Sequence, residues 1–598
     1  MFKTQILESL KNLGFDFSER DLETPKEEFG DLCVKCFRIA KKLGKTPEEL
    51  AKEIEGKMEK LWFLEKVEAV GGYVNFHFDW KEVAKKILRS LKELEKSIKN
   101  PYQGKRIMVE HTSVNPNKAL HIGHARNACL GDCLVRLLNF VGNDVIVANY
   151  VDDTGSQMAD IVLGFKVLGI PMETSGKFDE YCGNEVYVKV NRMYEEKPEL
   201  KEKRKEILAM IEAGDNEIAR FSAEIAEKVL KDQLKTLWRL GIYYDLINRE
   251  SDIIKARIWE EVFEKLKEKG FLYKQETGER KGCWLLKLSL LPEFQNLKNP
   301  DITVVRSDGT VLYVGKDIAY AMWKHGLTEG DFKYKVFVTQ PNGKDLWITA
   351  CEGETKGFKG VDVSINVIDV RQKYEQDAVR SALKLVSGEE KEYIHYAYEL
   401  VALSEKTASL LGIPAEKFVH MSGRKGWFIN TDTILEELHK KAYEETKKRN
   451  PDADETFLKE IAEKVAIGAF RYEMVKISPE KMIVFDLETS LKLEGNTGPY
   501  LQYGYTRCGG ILRKAGEIGE VEKIDEIQPE EKRLLKLLMK FPKVVEDAVR
   551  DLRPNYIANY SQQLVATFNE FYEKCPVLKC EKNKKNFRLK LVQATMEI

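Results

Sequence analysis

The chain has 598 residues, of which 43% are hydrophobic and 32% are charged. Because one hydrophobic core rarely grows past ~250–300 residues, this length predicts several domains. The 96 Lys and Arg residues almost balance the 97 Asp and Glu residues, and a net charge of −1 does not indicate a nucleic-acid binder. It does not exclude one either, since only the surface that contacts phosphates must be basic.

The sequence contains no run of roughly 20 apolar residues, the length that a membrane-spanning helix needs. The N-terminus reads as an amphipathic helix without a signal peptide, so we expect a cytoplasmic protein, and we expect a monomer. The ten cysteines are scattered, which favours reduced thiols over a disulfide framework. Cys33 and Cys36 form a lone CxxC pair without a second ligand pair at a typical spacing, so we expect no metal site.

Residues 1–100 are predicted to form a small α/β domain. Helical patterns alternate there with strand-like segments, at residues 2–13, 47–58, 66–70 and 73–78. In the last segment the alternation of a strand would expose Tyr73 and Asn75 on one face. From the pattern alone, an ordinary edge strand is the favoured interpretation.

A strand, a tight turn and a helix are predicted next. Residues 106–109 are mostly apolar, and residues 125–140 repeat apolar side chains at helical spacing. The turn between them contains Lys118 and the tetrapeptide His-Ile-Gly-His at 121–124. Alone, this tetrapeptide could be a chance match whose histidines merely cap a helix. A helix N-terminus with two imidazoles and a lysine would also make a cationic cradle for a triphosphate.

A second strand, at residues 144–151, completes a β-α-β unit with that helix. Asp152 and Asp153 follow at its carboxyl end, where ligands bind in open α/β sheets. A long run of helix formers covers residues 187–240, and its charges are interpreted as a solvated face. Further strands are predicted at residues 273–290, 303–313, 336–339 and 364–370. A helix should open at Tyr313, with Asp317 near its start.

Residues 113–127 resemble the HIGH motif of class I aminoacyl-tRNA synthetases, in the form typical of the arginyl-tRNA synthetases and with an archaeal-like character. A basic, glycine-containing loop after residue 419 resembles the KMSKS loop of the same class. Its two lysine positions are held by His420 and Gly423, and the cations have moved to Arg424 and Lys425. The resemblance implies that Lys118, upstream of the HIGH turn, restores the missing charge.

The resemblance implies an α/β fold with a Rossmann-type parallel-sheet catalytic domain at residues 101–450. A helical region at about 170–300 is expected inside it. The N-terminal α/β domain at residues 1–100 would contact the corner of the tRNA, and an all-helical DALR-type anticodon-binding domain would occupy residues 451–598. Compared with the family, we expect a longer segment at residues 333–359 and a shorter C-terminal end.

The resemblance also implies roles for individual residues. Catalysis is assigned to Lys118, His121, His124, Arg424 and Lys425. Contacts with ATP are assigned to Gly123, His121, His124, Asn127, Met421, Ser422 and Gly423. Contacts with the substrate arginine are assigned to Glu110, Ser113, Asn115, Tyr313, Asp317 and Gln372. Contacts with tRNA are assigned to Tyr73, Asn75, Tyr503 and Arg507, the first two of them to a base of the D-loop.

The reaction implied joins L-arginine to tRNA(Arg) at the expense of ATP, with Mg²⁺ and with tRNA required for activation. Two other interpretations remain open. One is a class I enzyme for another amino acid, although a cysteinyl pocket uses zinc and Glu110 and Asp317 have the wrong sign for glutamate. The other is an RNA-binding paralogue without turnover, which the complete HIGH turn and basic loop argue against.

Overall fold

The computed structural model describes residues 2–89, 91–413, 429–521 and 523–598. The chain divides into two compact units. The first unit contains Met1–Lys99, Tyr503–Glu546 and Tyr560–Ile598, and the second contains Asn100–Gln502 and Asp547–Asn559. None of the described helices is both long enough and apolar enough to span a membrane.

The N-terminal part of the first unit is an antiparallel sheet with helices. Its elements are α1 (Phe2–Asn12), β1 (Leu22–Glu23), β2 (Leu32–Lys35), α2 (Phe37–Leu43), α3 (Pro47–Lys57), β3 (Leu64–Val70), β4 (Tyr73–Phe78), α4 (Trp80–Arg89) and α5 (Leu91–Lys96). The sheet order is β1-β2-β4-β3. Helix α3 begins with a capping box, because Thr46 and Glu49 each bond the other's backbone N–H. The two helices and two strands predicted for this region are confirmed.

The second unit is built on a seven-stranded sheet in the order β11-β12-β7-β6-β5-β13-β14. All neighbouring pairs are parallel except β11 and β12. The strands are β5 (Ile107–Glu110), β6 (Val145–Val151), β7 (Leu246–Arg249), β11 (Lys333–Thr339), β12 (Asp345–Ala350), β13 (Val363–Asp369) and β14 (Glu392–Tyr398). This arrangement confirms the predicted parallel sheet. The segment at 333–359 contributes the β11–β12 hairpin at its edge.

Helices cover this sheet and extend from it. In chain order they are α6 (Ile122–Phe140), α7 (Ser156–Lys166), α8 (Phe178–Tyr181), α9 (Val188–Glu196), α10 (Leu200–Ala213), α11 (Glu217–Arg239), α12 (Glu250–Lys255), α13 (Ile258–Glu268), α14 (Tyr313–Lys324) and α15 (Lys373–Ser387). A π-helical segment, Cys182–Tyr187, joins α8 to α9. A small antiparallel sheet contains β8 (Leu272–Lys274), β9 (Trp284–Leu286) and β10 (Ile302–Val305).

The remaining elements of the second unit are β15 (Val401–Leu403), α16 (Glu405–Leu410), α17 (Thr431–Arg449), α18 (Glu455–Val475), β16 (Ile483–Phe485) and α19 (Leu487–Ser490). The last helices are α20 (Gly498–Ala515), α21 (Pro529–Asp551), α22 (Pro554–Lys574) and α23 (Lys582–Glu597). Most of α20 to α23 belongs to the first unit. These helices share one hydrophobic core with the N-terminal sheet, and that core includes Phe63, Phe76 and Phe568.

Three predicted boundaries differ from the structure. The helical region predicted at 170–300 is interrupted by β7, whose apolar residues Leu246 and Ile247 are fully buried in the main sheet. The strand predicted at 303–313 ends at Val305, because Tyr313 already begins α14. Helix α18 lies in the second unit rather than with the C-terminal helices. Arg471 on α18 is ion-paired with Asp132 on α6, which ties it to the sheet.

Candidate active site

The turn that follows β5 contains two consecutive residues with left-handed backbone. Thr112 has a φ of 77° and Ser113 has a φ of 44°. This conformation costs a non-glycine residue roughly 1–2 kcal/mol, so the surrounding structure must enforce it. Thr112 N–H donates to Asn127 Oδ1 over 2.6 Å, and Ser113 N–H donates to Asn149 Oδ1 over 3.1 Å. Two side-chain amides therefore hold the turn in its strained form.

Asn127 was predicted to contact ATP, and its surroundings indicate another role. It is 4% exposed. Its amide nitrogen donates to Val367 O over 2.7 Å and to the Tyr398 hydroxyl over 3.2 Å, while its oxygen accepts from Thr112. Because the whole amide is engaged within the protein, Asn127 positions the turn against the sheet, and its contact with ATP stays a prediction.

The two histidines of the predicted motif lie at the N-terminus of α6. Their rings are stacked with centroids 3.5 Å apart. His121 Nδ1 accepts from the N–H groups of Gly123 and His124, and His124 Nδ1 accepts from His121 N–H. Because Nδ1 of each ring accepts a hydrogen bond, the N–H proton of each neutral ring lies on Nε2. The histidines therefore cap the helix, which was one of the two interpretations of the sequence. Their rings also lie at the helix N-terminus, where a phosphate would bind.

Burial keeps both imidazoles neutral. It lowers the pKa of His121 to about 3, with a further contribution from the charge of Lys118. Burial also lowers the pKa of His124 well below its usual range, helped by His121 and Lys118. A side chain at Gly123 would place Cβ 3.0 Å from the His121 ring, so any larger residue would press against this ring. The fixed positive charge of this turn comes from Lys118, whose pKa burial lowers.

One residue that positions the turn was missed at the sequence level. Gln233 on α11 is 3% exposed, and its amide nitrogen donates to Lys118 O over 2.7 Å and to Asn115 O over 3.2 Å. The run of charged residues around it was interpreted as a solvated face. A lone Gln in such a run gives no signal, because its contact partners are more than 100 positions away.

The residues predicted to bind arginine lie around the carboxyl ends of the strands. Glu110 ends β5, is 5% exposed and forms an ion pair with Lys324. Asn115 donates to Asp152 Oδ2 over 3.3 Å. Tyr313 is 51% exposed, and its hydroxyl donates to Glu375 over 3.0 Å. The Ser113 hydroxyl is buried without a hydrogen-bond partner, and Gln372 is exposed in the short helical turn after β13.

Asp317, in the second turn of α14, lies among other carboxylates. Burial raises its pKa well above the usual range, and the charges of Glu250 and Glu110 add to the shift. Asp152 behaves similarly, since burial and the charge of Glu250 raise its pKa to about 7. Glu250 was not predicted as a site residue. A region this acidic favours a cationic ligand, which would relieve the repulsion between the carboxylates.

The predicted phosphate loop, His420 to Lys425, lies outside the described residues. The residues that follow it are held at the histidine turn. Asn430 forms an antiparallel bridge with His121, and Thr431 N–H donates to Leu120 O over 2.7 Å. The start of α17 and the N-terminus of α6 are therefore joined through the backbone.

Comparisons with known proteins cover the whole chain. Family models match at residues 1–78 (arginyl tRNA synthetase N terminal domain), 85–350 (tRNA synthetases class I (R), catalytic domain) and 501–598 (DALR anticodon binding domain). The arginine–tRNA ligase of Thermococcus sibiricus is 38% identical over 100% of this chain and 96% of the relative. The chain belongs to the arginyl-tRNA synthetase family. The family predicted from the sequence is confirmed, and the chain is a class I aminoacyl-tRNA ligase.

Other members of the arginyl-tRNA synthetase family agree with this assignment. The arginine–tRNA ligase of Thermus thermophilus is 34% identical over 98% of this chain and 95% of the relative. The solved structure of the Thermus thermophilus arginyl-tRNA synthetase matches with a TM-score of 0.83 and 32% identity. That match covers 100% of this chain and 96% of the other.

The predicted tRNA contacts of this synthetase lie in its first unit. Tyr73 is partly exposed and packs edge-on against Phe37. The predicted exposure of Asn75 is wrong, because this side chain is only 3% exposed on the central strand β4, between β2 and β3. Arg507 stacks over the ring of Tyr503, which is 41% exposed, at 4.6 Å.

The part of the synthetase that the structure describes contains no group of three or more side chains able to hold a metal ion. Cys33 and Cys36 are buried free thiols. Burial raises the pKa of Cys33 to about 11 and that of Cys36 to about 12, so both are protonated at neutral pH.

Proposed function

We propose that this member of the arginyl-tRNA synthetase family activates L-arginine with ATP and Mg²⁺ and transfers it to the 3′ end of tRNA(Arg). The observation that carries the proposal is the group of carboxylates around Asp317 at the carboxyl edge of the sheet, the edge at which the histidine turn also lies. A neutral or acidic amino acid would leave this concentration of negative charge without a partner.

In the first step, the arginine carboxylate attacks the α-phosphorus of ATP, and pyrophosphate leaves. In the second, a terminal ribose hydroxyl of tRNA attacks the acyl carbon of arginyl-adenylate. Neither step requires a protein nucleophile, so the side chains act by placing the reactants and stabilising charge on phosphate oxygens. We assign this role to Lys118, His121, His124, Arg424 and Lys425.

The neutral state of the two histidines defines what they can do. With Nδ1 accepting backbone N–H groups, Nε2–H is available as a donor to a phosphate oxygen. A neutral donor strengthens as negative charge grows on its acceptor and does not repel the nearby ammonium of Lys118. The helix N-terminus adds the positive end of its dipole to the same site.

Arginine should be preferred over lysine because its guanidinium is a planar fork of five donors. Asp317 can accept two of these, and we also assign Glu110, Ser113, Asn115, Tyr313 and Gln372 to the amino-acid pocket. A lysine ammonium would leave some acceptors unpaired, and sites of this kind can discriminate by ~10⁴-fold or more.

The test is ATP consumption with each standard amino acid, with and without bulk tRNA. We expect turnover with arginine alone, and only when tRNA is present. Turnover with another amino acid would overturn the specificity, and no turnover with any would favour the RNA-binding paralogue. Sedimentation and cell fractionation test the further proposal of a cytoplasmic monomer.

The role of the histidine turn is tested by His124→Ala. We expect adenylate formation to fall by a factor of ~10² or more, while tRNA affinity stays unchanged and the fold is kept. His439→Ala is a matched control, because His439 is a partly buried histidine bonded to Glu463 on α18. Near-normal aminoacylation by His124→Ala would remove the histidine from the mechanism.

A further inference from the structure

The amino-acid pocket contains more carboxylates than cations. Four carboxylates and two lysines come together where β5, β6 and β7 end and along α14. They are Glu110, Asp152, Glu250, Asp317, Lys316 and Lys324. Tyr150 lies close to all four carboxylates. Burial raises its pKa well above the usual range, and the charges of the four carboxylates raise it further. Two carboxyl groups are therefore left over once each lysine is paired with one carboxylate.

Each of the two lysines forms an ion pair with one of the four carboxylates. Lys324 forms a buried ion pair with Glu110 and also donates to Asn366 Oδ1 over 2.7 Å. Lys316 donates to Glu250 over 2.6 Å and to the Thr154 hydroxyl over 3.1 Å. Both pairs are fixed by a second acceptor, so neither lysine is available to another partner without breaking a buried contact.

Asp152 and Asp317 are the carboxylates that remain. Among the residues that the structure describes, no Lys, Arg or His nitrogen lies within 4.0 Å of either. Asp152 accepts from two neutral groups, Thr154 N–H over 3.2 Å and the Asn115 amide over 3.3 Å. Burial is the main cause of the raised pKa values of both carboxylates, and the more distant charges of Lys316 on Asp152 and of Lys324 on Asp317 offset the rise only in part.

Free arginine carries two cations, the guanidinium and the α-ammonium group, which matches the two unpaired carboxylates. Asp317 is assigned to the guanidinium above. Asp152 touches Asn115, which is assigned to the amino and carboxylate end of the substrate. We propose that Asp152 binds the α-ammonium group of arginine. This inference rests on the proposed function and names a residue of the same site.

The proposal has a specific chemical consequence. The affinity of a ligand that keeps the guanidinium but lacks the α-ammonium group should not depend on Asp152. Its affinity should still depend on Asp317. A charge-assisted hydrogen bond in a poorly solvated pocket should be reflected in an affinity change of about 10–100-fold. The two carboxylates can therefore be separated by the choice of ligand.

The experiment measures the binding of three ligands by calorimetry to the full chain and to Asp152→Asn. The ligands are arginine, agmatine (which keeps the amine and lacks the carboxylate) and 5-guanidinopentanoate (which keeps the carboxylate and lacks the amine). We expect Asp152→Asn to weaken arginine and agmatine by about 10–100-fold and to leave 5-guanidinopentanoate unchanged. Asp317→Asn should weaken all three.

Two further variants complete the design. Asp152→Glu should recover part of the affinity for arginine and agmatine if the negative charge is what matters. Asp144→Asn, which removes an exposed carboxylate just before the opposite end of β6, should change nothing and serves as the matched control. Thermal unfolding of each variant shows whether the fold is kept.

The outcomes separate this inference from the proposed function. If the unaltered chain binds no arginine, the proposed function fails. If it binds arginine but Asp152→Asn weakens all three ligands equally, or weakens none, the assignment of Asp152 to the α-ammonium group is overturned while the proposed function stands.

Discussion

Lys177 and Asp432 join two segments that are 255 positions apart. Lys177 Nζ donates to Asp432 Oδ2 over 2.6 Å and to the Thr236 hydroxyl over 2.7 Å, and Thr236 donates to the same Asp432 oxygen over 2.8 Å. Lys177 precedes α8, Thr236 belongs to α11 and Asp432 lies in the first turn of α17. Because α17 starts beside the bridge between Asn430 and His121, this contact connects the inserted helices to the histidine turn.

We therefore expect Lys177→Met to slow adenylate formation by about 10-fold without changing arginine affinity, since the variant loses the charge-assisted hydrogen bond to Asp432 at the start of α17 and the one to Thr236 on α11. Pre-steady-state kinetics and arginine titration measure the two effects. Lys177→Arg should restore part of the rate. Lys235→Met, which removes an exposed partner of Asp232 on α11, is the control. Equal effects of the two methionine variants would contradict the prediction.

Removing one partner of the buried ion pair between Lys324 and Glu110 should destabilise the folded chain. Lys324 is 2% exposed and Glu110 is 5% exposed, so removal of the ammonium leaves a buried charge without a partner. We expect Lys324→Met to lower the free energy of unfolding by about 3–5 kcal/mol, measured by urea denaturation. Adding Glu110→Gln should recover part of this loss. A double variant whose loss equals the sum of the single losses would show that the pair is not coupled.

The strained turn after β5 predicts a stability effect at Asn127. Asn127→Leu keeps the approximate shape but leaves the buried N–H of Thr112 without its acceptor, and we expect a loss of about 1–3 kcal/mol in urea denaturation. Adenylate formation should also fall, because the turn positions Ser113 and Asn115. Asn139→Leu on the exposed face of the same helix is the control, and its effect should stay within about 0.5 kcal/mol. A loss no larger than that of the control would separate Asn127 from the strained backbone.

The lowered pKa of the buried His325 should contribute to the pH dependence of the free energy of unfolding. Burial lowers its pKa to about 4, so below pH 6.5 the unfolded chain binds a proton that the folded chain excludes. This contribution is fully present above pH 6.5 and is lost as the pH falls towards 4. Between pH 7.5 and 5 we expect the unaltered chain to lose about 2 kcal/mol more than His325→Gln, measured by urea denaturation.

The comparison with His325→Gln is needed because other groups act in the opposite sense. Asp152 and Asp179 have pKa values raised to about 7, chiefly by burial, and they favour folding as the pH falls through that range. The difference between the two proteins isolates the histidine. Identical pH profiles would show that His325 is not a buried neutral group.

Several features of this protein could be predicted from local sequence. The strand before the histidine turn, helix α6 and strand β6 lie where periodicity placed them, because apolar repeats report directly which face is buried. The motif at 121–124 likewise indicated a helix N-terminus, and the capping contacts of His121 follow from residues within one helical turn.

Features that depend on distant partners could not be predicted. Strand β7 was placed in a helical region because its four residues are too short for a periodic signal. Asn75 was expected to be exposed, but whether both faces of a strand are covered depends on neighbouring strands and helices. Gln233 and Lys177 carry no local signal, since their partners come from other segments.

The sequence by itself determined the family, the parallel-sheet class and the residue types of the site, because motifs and periodicity are local and chemically specific. Only the tertiary structure decided that Asn127 supports a strained turn, that Lys324 neutralises Glu110, and that, among the described residues, Asp152 and Asp317 form no direct ion pair. Pairing of buried charges depends on which side chains meet in space, and residues more than 100 positions apart meet only once the chain has folded.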